Sequence, residues 1–395
     1  MGGRRPLRGN PQLLRTMNER LLLAHFLEHG PSSRVELAKV TGLSKPTVSS
    51  ALAGLEAAGL VELVGSLSGR PGPTTAIYDM NARAGLVAGV DIGRDWIRLA
   101  IADLRGEFIG RADVHNSARS SADLVRRVHT LAHEVAASAG VDWSTMSYAV
   151  IGSPGVLDPA TGRLSLAPNL PGWGRAGLVD ELHAALGVRA AIENDINLAA
   201  VGELAFGAGR GVRNFVLVSI GTGVGMGIVI NGELYVGGSG AAGEVGFLPS
   251  ADGDVTEPDS RQHGMTESVA SAGGVARAAR RAGLTARSAK EVFASAAAGE
   301  PKAREIVLAE GRRIGALIAA VTAILDPELV VLAGGVGRNL DMFDEAITRR
   351  IAELSPLRPR IVASELGDSG VLQGAVARAL DTARDLVFDR RTQAG

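Results

Sequence analysis

The run Ile220-Gly221-Thr222-Gly223-Val224-Gly225-Met226-Gly227 joins two predicted apolar strands, at 214–220 and 225–230. Its backbone N–H groups can approach a phosphate closely, because no side chains intervene at the glycines. A strand follows the run and not a helix, so it differs from the dinucleotide-binding glycine motif. Gly221, Thr222 and Gly223 are therefore predicted to form a phosphate-loop-like turn. Taken alone, the same residues favour a glycine hairpin selected for tight turning.

The strand pattern around this run occurs twice. Three strands joined by short turns are predicted at 86–92, 96–103 and 107–114, and again at 214–220, 225–230 and 233–236. Each group continues into alternating helices and strands, which favours an internal duplication into two α/β lobes with a cleft between them. The predicted lobes comprise 83–205 together with a C-terminal helix at 371–387, and 206–370.

A separate helical segment precedes the lobes, with three helices predicted within 18–60. Thr41-Gly42-Leu43 is a tight turn, and Ser44 is a candidate N-cap with Pro46 in the first helical turn. Helix, turn, capped helix and a following hairpin at 59–78 are typical of a winged helix-turn-helix. The alternative is a small helical bundle that serves as a dimerisation cap.

The chemistry of that segment suits double-stranded DNA. Short hydroxyl side chains near the start of the last helix can reach bases and phosphates in the major groove, and an arginine in the hairpin loop suits a narrow minor groove. The predicted DNA contacts are Arg34, Ser44, Lys45, Thr47, Ser49, Ser50 and Arg70. The predicted domains are a basic arm at 1–17, a winged helix-turn-helix at 18–82, and an effector and oligomerisation domain at 83–395.

Composition supports this division. The 395 residues carry 41 Lys plus Arg and 42 Asp plus Glu, a net charge of -1, yet the first 80 residues carry nine basic and six acidic side chains. A solvated arginine-rich tail would also explain that excess. The chain has no cysteine, which excludes disulfides, thiolate zinc sites and thiol nucleophiles. The longest nearly apolar stretch, 314–325, is shorter than the roughly 20 residues that span a bilayer, so we expect a soluble, cytoplasmic protein without membrane association.

Six further motifs occur in a fixed order. They are Val90-Asp91-Ile92-Gly93, Gly152-Ser153-Pro154-Gly155, Pro168-Asn169-Leu170-Pro171-Gly172-Trp173, Glu193-Asn194-Asp195-Ile196-Asn197, Ala242-Gly243-Glu244-Val245-Gly246 and Ala333-Gly334-Gly335-Val336. Together with the helix-turn-helix, they resemble the ROK family of repressors, open reading frames and sugar kinases, in its transcriptional-regulator branch. The resemblance covers nearly the whole chain. It implies a mixed α+β and α/β fold: a winged helix-turn-helix followed by a two-lobe, actin-like sugar-kinase domain of the ribonuclease-H type.

The resemblance also implies a sugar site. Asp195 matches the general base of the family's kinases, and Asn169, Asn194, Glu244 and Glu267 match positions that hold sugar hydroxyls. Carboxylates and amides suit a polyol, which presents both donors and acceptors. Each of these residues, considered alone, is also compatible with a role as a helix cap or a surface acid.

Two departures from the family pattern bear on activity. Arg94, Asp95 and Trp96 follow Gly93 where the kinases have small and hydroxyl residues, and a carboxylate there would repel ATP phosphates. We therefore expect no phosphotransfer, with Asp195 as a vestige of the general base, and no cofactor. Phe247 replaces the histidine that family members use for zinc and sugar.

Met265 stands where a cysteine of the zinc site is usual, and His263 alone cannot form a tetrahedral site. We expect no zinc, and we expect His263 to be a surface histidine.

These observations lead to one principal hypothesis and two alternatives. The chain is predicted to be a DNA-binding transcriptional repressor of carbohydrate-related genes, a homodimer or tetramer on an operator, whose degenerate kinase domain senses a sugar-like metabolite. The first alternative is an active ATP-dependent sugar kinase with an appended DNA-binding domain. The second is a regulator of the same family that acts without a ligand.

Overall fold

The computed structural model describes residues 11–67, 75–158, 164–165, 170 and 172–393. Its N-terminal part contains α1 (Pro11–His29), β1 (Ser32–Ser33), α2 (Arg34–Thr41), α3 (Lys45–Ala57), β2 (Val61–Leu67) and β3 (Thr75–Met80). The strands form an antiparallel sheet in the order β1-β3-β2. Gly42 ends α2 with a φ of 71°, a left-handed conformation that glycine adopts without steric cost. Helix, tight turn, helix and hairpin therefore follow one another as the sequence predicts.

The first helix is longer than predicted, because it begins at Pro11 and not near residue 18. Proline suits the first helical position, since it has no N–H to leave unpaired there. Arg15 then pairs with Glu19 one turn later, at 2.9 Å from Nε to Oε1. Residues 11–17, which we had assigned to a basic arm, are thus helical. Residues 1–10 and Arg70 lie outside the described residues.

The first lobe follows the winged segment. Its elements are β4 (Leu86–Ile92), β5 (Trp96–Asp103), β6 (Phe108–His115), α4 (Ser121–Ser138), β7 (Met146–Ser153), β8 (Val156–Leu157), β9 (Leu164–Ser165), α5 (Leu178–Leu186) and β10 (Ala190–Asn194). The main sheet has the order β10-β7-β4-β5-β6. β4 is buried along its whole length, between an antiparallel neighbour, β5, and a parallel one, β7.

The remaining elements are the helix that follows β10, the elements of the second lobe, and the helix that closes the chain. They are α6 (Asp195–Phe206), β11 (Phe215–Ile220), β12 (Val224–Ile230), β13 (Glu233–Tyr235), α7 (Pro258–His263), α8 (Met265–Ala270), α9 (Ala272–Arg281), α10 (Ala289–Ala297), α11 (Pro301–Leu325), β14 (Leu329–Ala333), α12 (Gly334–Gly337), α13 (Asp344–Leu354), β15 (Arg360–Ala363) and α14 (Gly370–Gln393).

The second sheet repeats the topology of the first. Its order is β13-β12-β11-β14-β15. In each sheet an antiparallel three-strand meander is extended by two parallel strands that pair on the far side of the meander's first strand. The internal duplication that the strand pattern predicts is therefore confirmed.

Helices α6 and α14 cross at glycines. A Cβ atom on Gly374 would lie 1.8 Å from the carbonyl oxygen of Leu198, and one on Gly202 would lie 2.4 Å from the carbonyl oxygen of Gly370. No side chain fits between the two backbones at this point. The helices therefore pack at the closest approach that the backbone allows, and movement of one must displace the other.

The winged segment packs on the C-terminal half of α14. Leu22 and Phe26 of α1 are fully buried and belong to one apolar cluster with Val387 and Phe388 of α14. In the part of the chain that the structure describes, no helix is long and apolar enough to cross a membrane.

Candidate functional site

The junction of β10 and α6 forms the centre of the cleft-facing motifs. The side chain of Asn194 caps α6: its Oδ1 accepts hydrogen bonds from the backbone N–H groups of Ile196 at 2.9 Å and Asn197 at 3.0 Å, and its Nδ2 donates to the carbonyl of Gly155 at 3.1 Å. These bonds fix Asp195 in the first turn of the helix. The Oδ1 of Asn194 thus already accepts two hydrogen bonds and its Nδ2 donates one. Counting the bonds to described residues, only the second N–H of the amide is left to donate to a sugar.

Four carboxylates gather around that turn, from β4, from α6, from the segment between β13 and α7, and from α8. They are Asp91, Asp195, Glu244 and Glu267. The pKa of Asp195 is raised to about 7, mainly by burial and in part by the nearby charges of Asp91 and Glu244. Burial likewise raises the pKa of Glu244, with a contribution from the charge of Glu267. The structure thus brings together three of the predicted sugar ligands, Asp195, Glu244 and Glu267, while Asn169 lies outside the described residues.

Near neutral pH, Asp195 is present in both protonation states. Such a carboxyl can accept a hydrogen bond from a hydroxyl or donate one to it. An acidic cluster of this kind repels anions and suits a neutral polyol.

Arg98 occupies the position next to Asp91, and the sequence reasoning missed it. Its Nη1 lies 2.8 Å from Oδ2 of Asp91, which is almost completely buried, and its Nε lies 3.6 Å from Oδ2 of Asp113. Burial raises the pKa of Asp91, and the Arg98 guanidinium opposes that rise. The signal was available in the sequence, because residues 91 and 98 are directly opposite in the β4–β5 hairpin and so share one face.

The ion pair bears on nucleotide chemistry. A metal cation in contact with Asp91 would have to displace the guanidinium of Arg98. The residues present therefore do not fit a nucleotide-bound metal ion in contact with Asp91.

The glycine turn between β11 and β12 is shaped by a hydrogen bond within the turn and by the side chain of Glu267. The N–H of Gly221 donates to the carbonyl of Gly223 at 2.9 Å, and Glu267 Oε2 accepts from the N–H of Val224 at 2.8 Å. A Cβ on Gly223 would lie 2.7 Å from that carboxylate oxygen. The close approach of Glu267 explains why glycine is needed at Gly223, and it places a negative charge where a phosphate would bind. Thr222 lies within this turn.

The segment after Gly93 is exposed. The side chains of Arg94 and Asp95 are 59% and 63% exposed, with Arg94 Nε 3.7 Å from Asp95 Oδ1. Trp96 contacts the ring of His115, with 4.8 Å between ring centroids. The bulky Trp96 and the exposed Arg94–Asp95 pair thus lie beside the position expected for phosphates.

The residues in the region of the family's zinc site do not suit zinc. Phe247 is apolar and 47% exposed, and Met265 begins α8. His263 Nδ1 lies 3.0 Å from Oδ1 of Asp259, which also pairs with Arg277 at 2.6 Å. Within the described ranges, no group of three His, Asp or Glu side chains could hold a metal ion.

The predicted DNA contacts of α2 and α3 lie at or near the surface. Ser44 caps α3 by accepting from the N–H of Thr47 at 3.3 Å, and the two hydroxyls are 2.8 Å apart. Lys45 and Ser50 are exposed, while Ser49 is half-buried. These five residues lie together at the start of α3.

Arg34 is the exception. Its Nη2 donates to the hydroxyl of Tyr78 on β3, and its guanidinium lies 5.0 Å from the centroid of that ring. Arg34 therefore has an intramolecular partner that a phosphate would have to replace.

Polar contacts join the winged segment to the body. Arg20 of α1 pairs with Asp385 and, at 2.8 Å, with Asp389, and its guanidinium lies 4.4 Å from the ring centroid of Phe388. Arg391 of α14 donates from Nη1 to the carbonyl of Ala58, at 3.4 Å, in the winged segment. The DNA-binding part is thus attached to the same helix that crosses α6.

The fold and the two sites define a class of protein: a winged-helix DNA-binding regulator whose body has the two-lobe sugar-kinase fold. The chain belongs to the ROK family, whose profile matches residues 87–382. The profile of the MarR family matches residues 15–70, which include α2 and α3.

Individual relatives include both repressors and kinases. The chain is 26% identical to a xylose repressor from Caldicellulosiruptor bescii over 395 residues, 94% of this chain and 97% of that protein. It is 29% identical to a glucokinase from Thermotoga maritima over 317 residues, 73% of this chain and 95% of that enzyme. The crystal structure of a ROK family transcriptional regulator, a homolog of the E. coli MLC protein, superposes with a TM-score of 0.77 at 22% identity, covering 97% of this chain and 100% of that one.

The likeness to that regulator's structure supports the fold along nearly the whole chain. The predicted fold class is therefore confirmed, and so is membership of the family's regulator branch, because a full-length repressor relative and a winged-helix profile accompany it.

Proposed function

We propose that this regulator represses genes of carbohydrate use by binding their operators, and that a neutral sugar bound at the four carboxylates releases it. The observation that carries the proposal is the position of α14, which contacts α6 at one end and the winged segment at the other. The repressor relative is named for xylose, so pentoses are the first sugars to consider.

DNA recognition is assigned to the start of α3. Lys45 supplies a phosphate contact, and Ser44, Thr47, Ser49 and Ser50 supply short donors and acceptors for base edges and phosphates. Arg34 and Arg70 complete the predicted set, with Arg34 released from Tyr78 when DNA binds. One winged segment per chain reads one half-site, so the working form is a homodimer or tetramer on a two-fold operator.

Sugar recognition is assigned to Asp195, Glu244 and Glu267, with Asn194 and Asn169 as the predicted amide partners. Because the pKa of Asp195 is raised to about 7, its carboxyl can donate to one sugar oxygen or accept from another. Phe247 offers an apolar face where a histidine is usual in the family.

Transmission follows from the helix crossing. Asp195 is the first residue of α6, and α6 meets α14 through Gly202 and Gly374 without intervening side chains. A sugar that draws α6 toward Glu244 and Glu267 moves α14, and α14 carries the winged segment. The spacing of two DNA-binding segments then changes, which weakens operator binding without loss of any single base contact.

A specific observation favours a second candidate, a sugar kinase. A carboxyl with a pKa near 7 is well matched to general-base catalysis. The carboxylate of Glu267 beside the glycine turn opposes it, because a negative charge there would repel nucleotide phosphates. The Arg98–Asp91 ion pair also opposes it, because a cation in contact with Asp91 would have to displace Arg98. We therefore propose that the chain is not an enzyme. Sugar-dependent release of ADP that disappears in Asp195→Asn would reverse that conclusion.

The DNA part of the proposal is tested by fluorescence anisotropy with DNA from upstream of the gene itself. Lys45→Ala is expected to weaken binding and to lower the slope of log affinity against log salt by about 1, because one phosphate contact is lost. Lys290→Ala, an exposed lysine near the start of α10, is the charge-matched control. Equal affinity and salt slope in the two variants would refute the assignment of α3 to DNA.

A further inference from the structure

A cavity of about 450 Å3 lies in the second lobe, apart from the four carboxylates. It is bounded by the segment 248–252, by α8 and by α11, and α8 contributes Thr266, Val269 and Ala270. This volume falls in the range of pockets that hold small molecules. Neither the sugar site nor the DNA surface accounts for it.

The lining of the cavity divides into two kinds of surface. Leu248, Val269, Ala316 and the buried Leu317 provide an apolar wall. Three arginines also line it, Arg312 and Arg313 on α11 and Arg350 on α13. A cavity with one apolar wall and several guanidinium groups is complementary to a molecule with an apolar body and a negative head.

The arginines are not fully neutralised. Arg313 pairs with Asp252 at 2.7 Å and with Glu310 at 3.2 Å, and Arg350 pairs with Glu353 at 2.9 Å. Arg312 is exposed and has no ion pair or hydrogen bond among the described residues. It is therefore the cation most available to an incoming anion.

The neighbouring acid, Glu310, neutralises little of the positive charge of these arginines. Glu310 is completely buried, and its Oε1 has no hydrogen-bond partner within the described part of the chain. Burial raises the pKa of Glu310 to about 8, with the Arg313 guanidinium opposing the rise. Burial thus favours the uncharged form of this carboxyl, which weakens its compensation of the positive charge of the arginines.

We propose that this cavity binds a small amphipathic anion, a carboxylate or phosphate monoester on an apolar body. Arg312 is the main contact for the anionic head, with Arg350 beside it, and the apolar body packs on Val269, Ala316 and Leu317. The ligand touches α8, whose Glu267 faces the sugar site, so it constitutes a second input to the regulator. The site itself does not depend on the proposed sugar response.

The test uses the full-length protein and calorimetric titration with chemically matched probes. 4-Phenylbutyrate and phenyl phosphate carry an anionic head on an apolar body, 4-phenylbutan-1-ol keeps the body without the charge, and acetate keeps the charge without the body. We expect one or both amphipathic anions to bind, and the alcohol and acetate to bind at least tenfold more weakly or not at all, since each lacks half of the complementarity (~tenfold for one charge-assisted hydrogen bond). Comparison of the two anions identifies the preferred head group.

Three variants complete the design. Arg312→Ala is expected to weaken binding about tenfold, and Ala316→Phe, which fills the cavity, to abolish it. Arg280→Ala, an exposed arginine on α9, is the matched control and should bind as the wild type does. Equal binding by Arg312→Ala and Arg280→Ala, or by the alcohol and the acid, would overturn the proposal. The proposal would also be overturned if the wild type bound no probe and Ala316→Phe changed the molecular mass measured by light scattering. The cavity would then be part of a contact between copies of the chain.

Discussion

Gly374→Ala places a methyl group where α6 and α14 touch. The new Cβ would lie 1.8 Å from the carbonyl oxygen of Leu198, 2.6 Å from its carbonyl carbon and 3.0 Å from the nitrogen of Gly202. All three neighbours are backbone atoms, which cannot rotate away. Because ordinary C···O contacts begin near ~3.3 Å, the helices would have to separate by on the order of 1.5 Å.

The expected cost follows from two opposing effects. Alanine favours a helix interior over glycine by about 1 kcal/mol, which would stabilise α14 in isolation. Overpacking of a close contact costs about 1–3 kcal/mol, and a clash of backbone with backbone belongs at the upper end of that range. We therefore expect Gly374→Ala to lower the free energy of unfolding of the body by about 1–2 kcal/mol.

Gly273→Ala is the matched control. Gly273 is exposed near the start of α9, and the nearest atom to a Cβ there is Arg277 Nη1 at 3.4 Å, an ordinary contact. This substitution should leave the melting temperature unchanged or slightly raised.

Melting temperature and the sugar response of DNA binding are measured on both variants. Gly374→Ala should melt below Gly273→Ala, and it should bind DNA with a reduced response to sugar, because α6 and α14 no longer move together. A Gly374→Ala protein with wild-type stability and a full sugar response would refute the reasoning about this crossing.

Three further changes test the sites separately. Arg98→Leu should destabilise the fold by about 3–5 kcal/mol at neutral pH, because it leaves Asp91 buried without its cation, and the deficit in melting temperature should shrink at acid pH as Asp91 is protonated. In the folded state the pKa of Asp195 is raised to about 7 from 3.8, so the folded state holds a proton that the unfolded state releases. Stability is therefore lost as pH rises from about 4 to 7. Asp195→Asn should melt above the wild type at pH 8 and lose that advantage near pH 4. Arg20→Ala removes the pairs to Asp385 and Asp389, each worth about 0.2–1 kcal/mol at this exposed position, and should speed limited proteolysis between the winged segment and the body; unchanged cleavage would show that apolar contacts alone hold the segment.

The sequence predicts the regular parts of the fold well. The strands of the two meanders lie within a residue or two of their predicted bounds, because each is a short apolar run bounded by turn residues. The helix-turn-helix was equally recognisable, since Gly42, Ser44 and Pro46 mark both boundaries of the turn.

Elements without clear local signals escaped prediction. α5 and α13 were not identified, although each buries one face through residues such as Leu182 and Ile347. The start of α1 was predicted too late in the chain, because Leu13 and Leu14 are exposed and do not extend the buried apolar face of that helix. Their helical state follows from Pro11 and local pairing, which a search for an apolar face does not detect.

The candidate site was predicted as a set of residues but not as a set of contacts. The resemblance to the family supplied Asp195, Glu244 and Glu267, and the structure shows the electrostatic environment around them. Arg98 was missed because its partner lies across a hairpin and not in the same motif. The role of Gly223 also required three dimensions, since the carboxylate it accommodates lies far along the chain at Glu267.

The measurement that tests the central claim most directly is the affinity of the full-length protein for DNA from upstream of its own gene, with and without each of a panel of pentoses and hexoses. Fluorescence anisotropy on wild type and Asp195→Asn suffices. We predict that at least one sugar weakens DNA binding by the wild type tenfold or more, and that Asp195→Asn binds the same DNA but no longer responds. DNA affinity that no sugar changes, or an equal response in Asp195→Asn, would contradict the account.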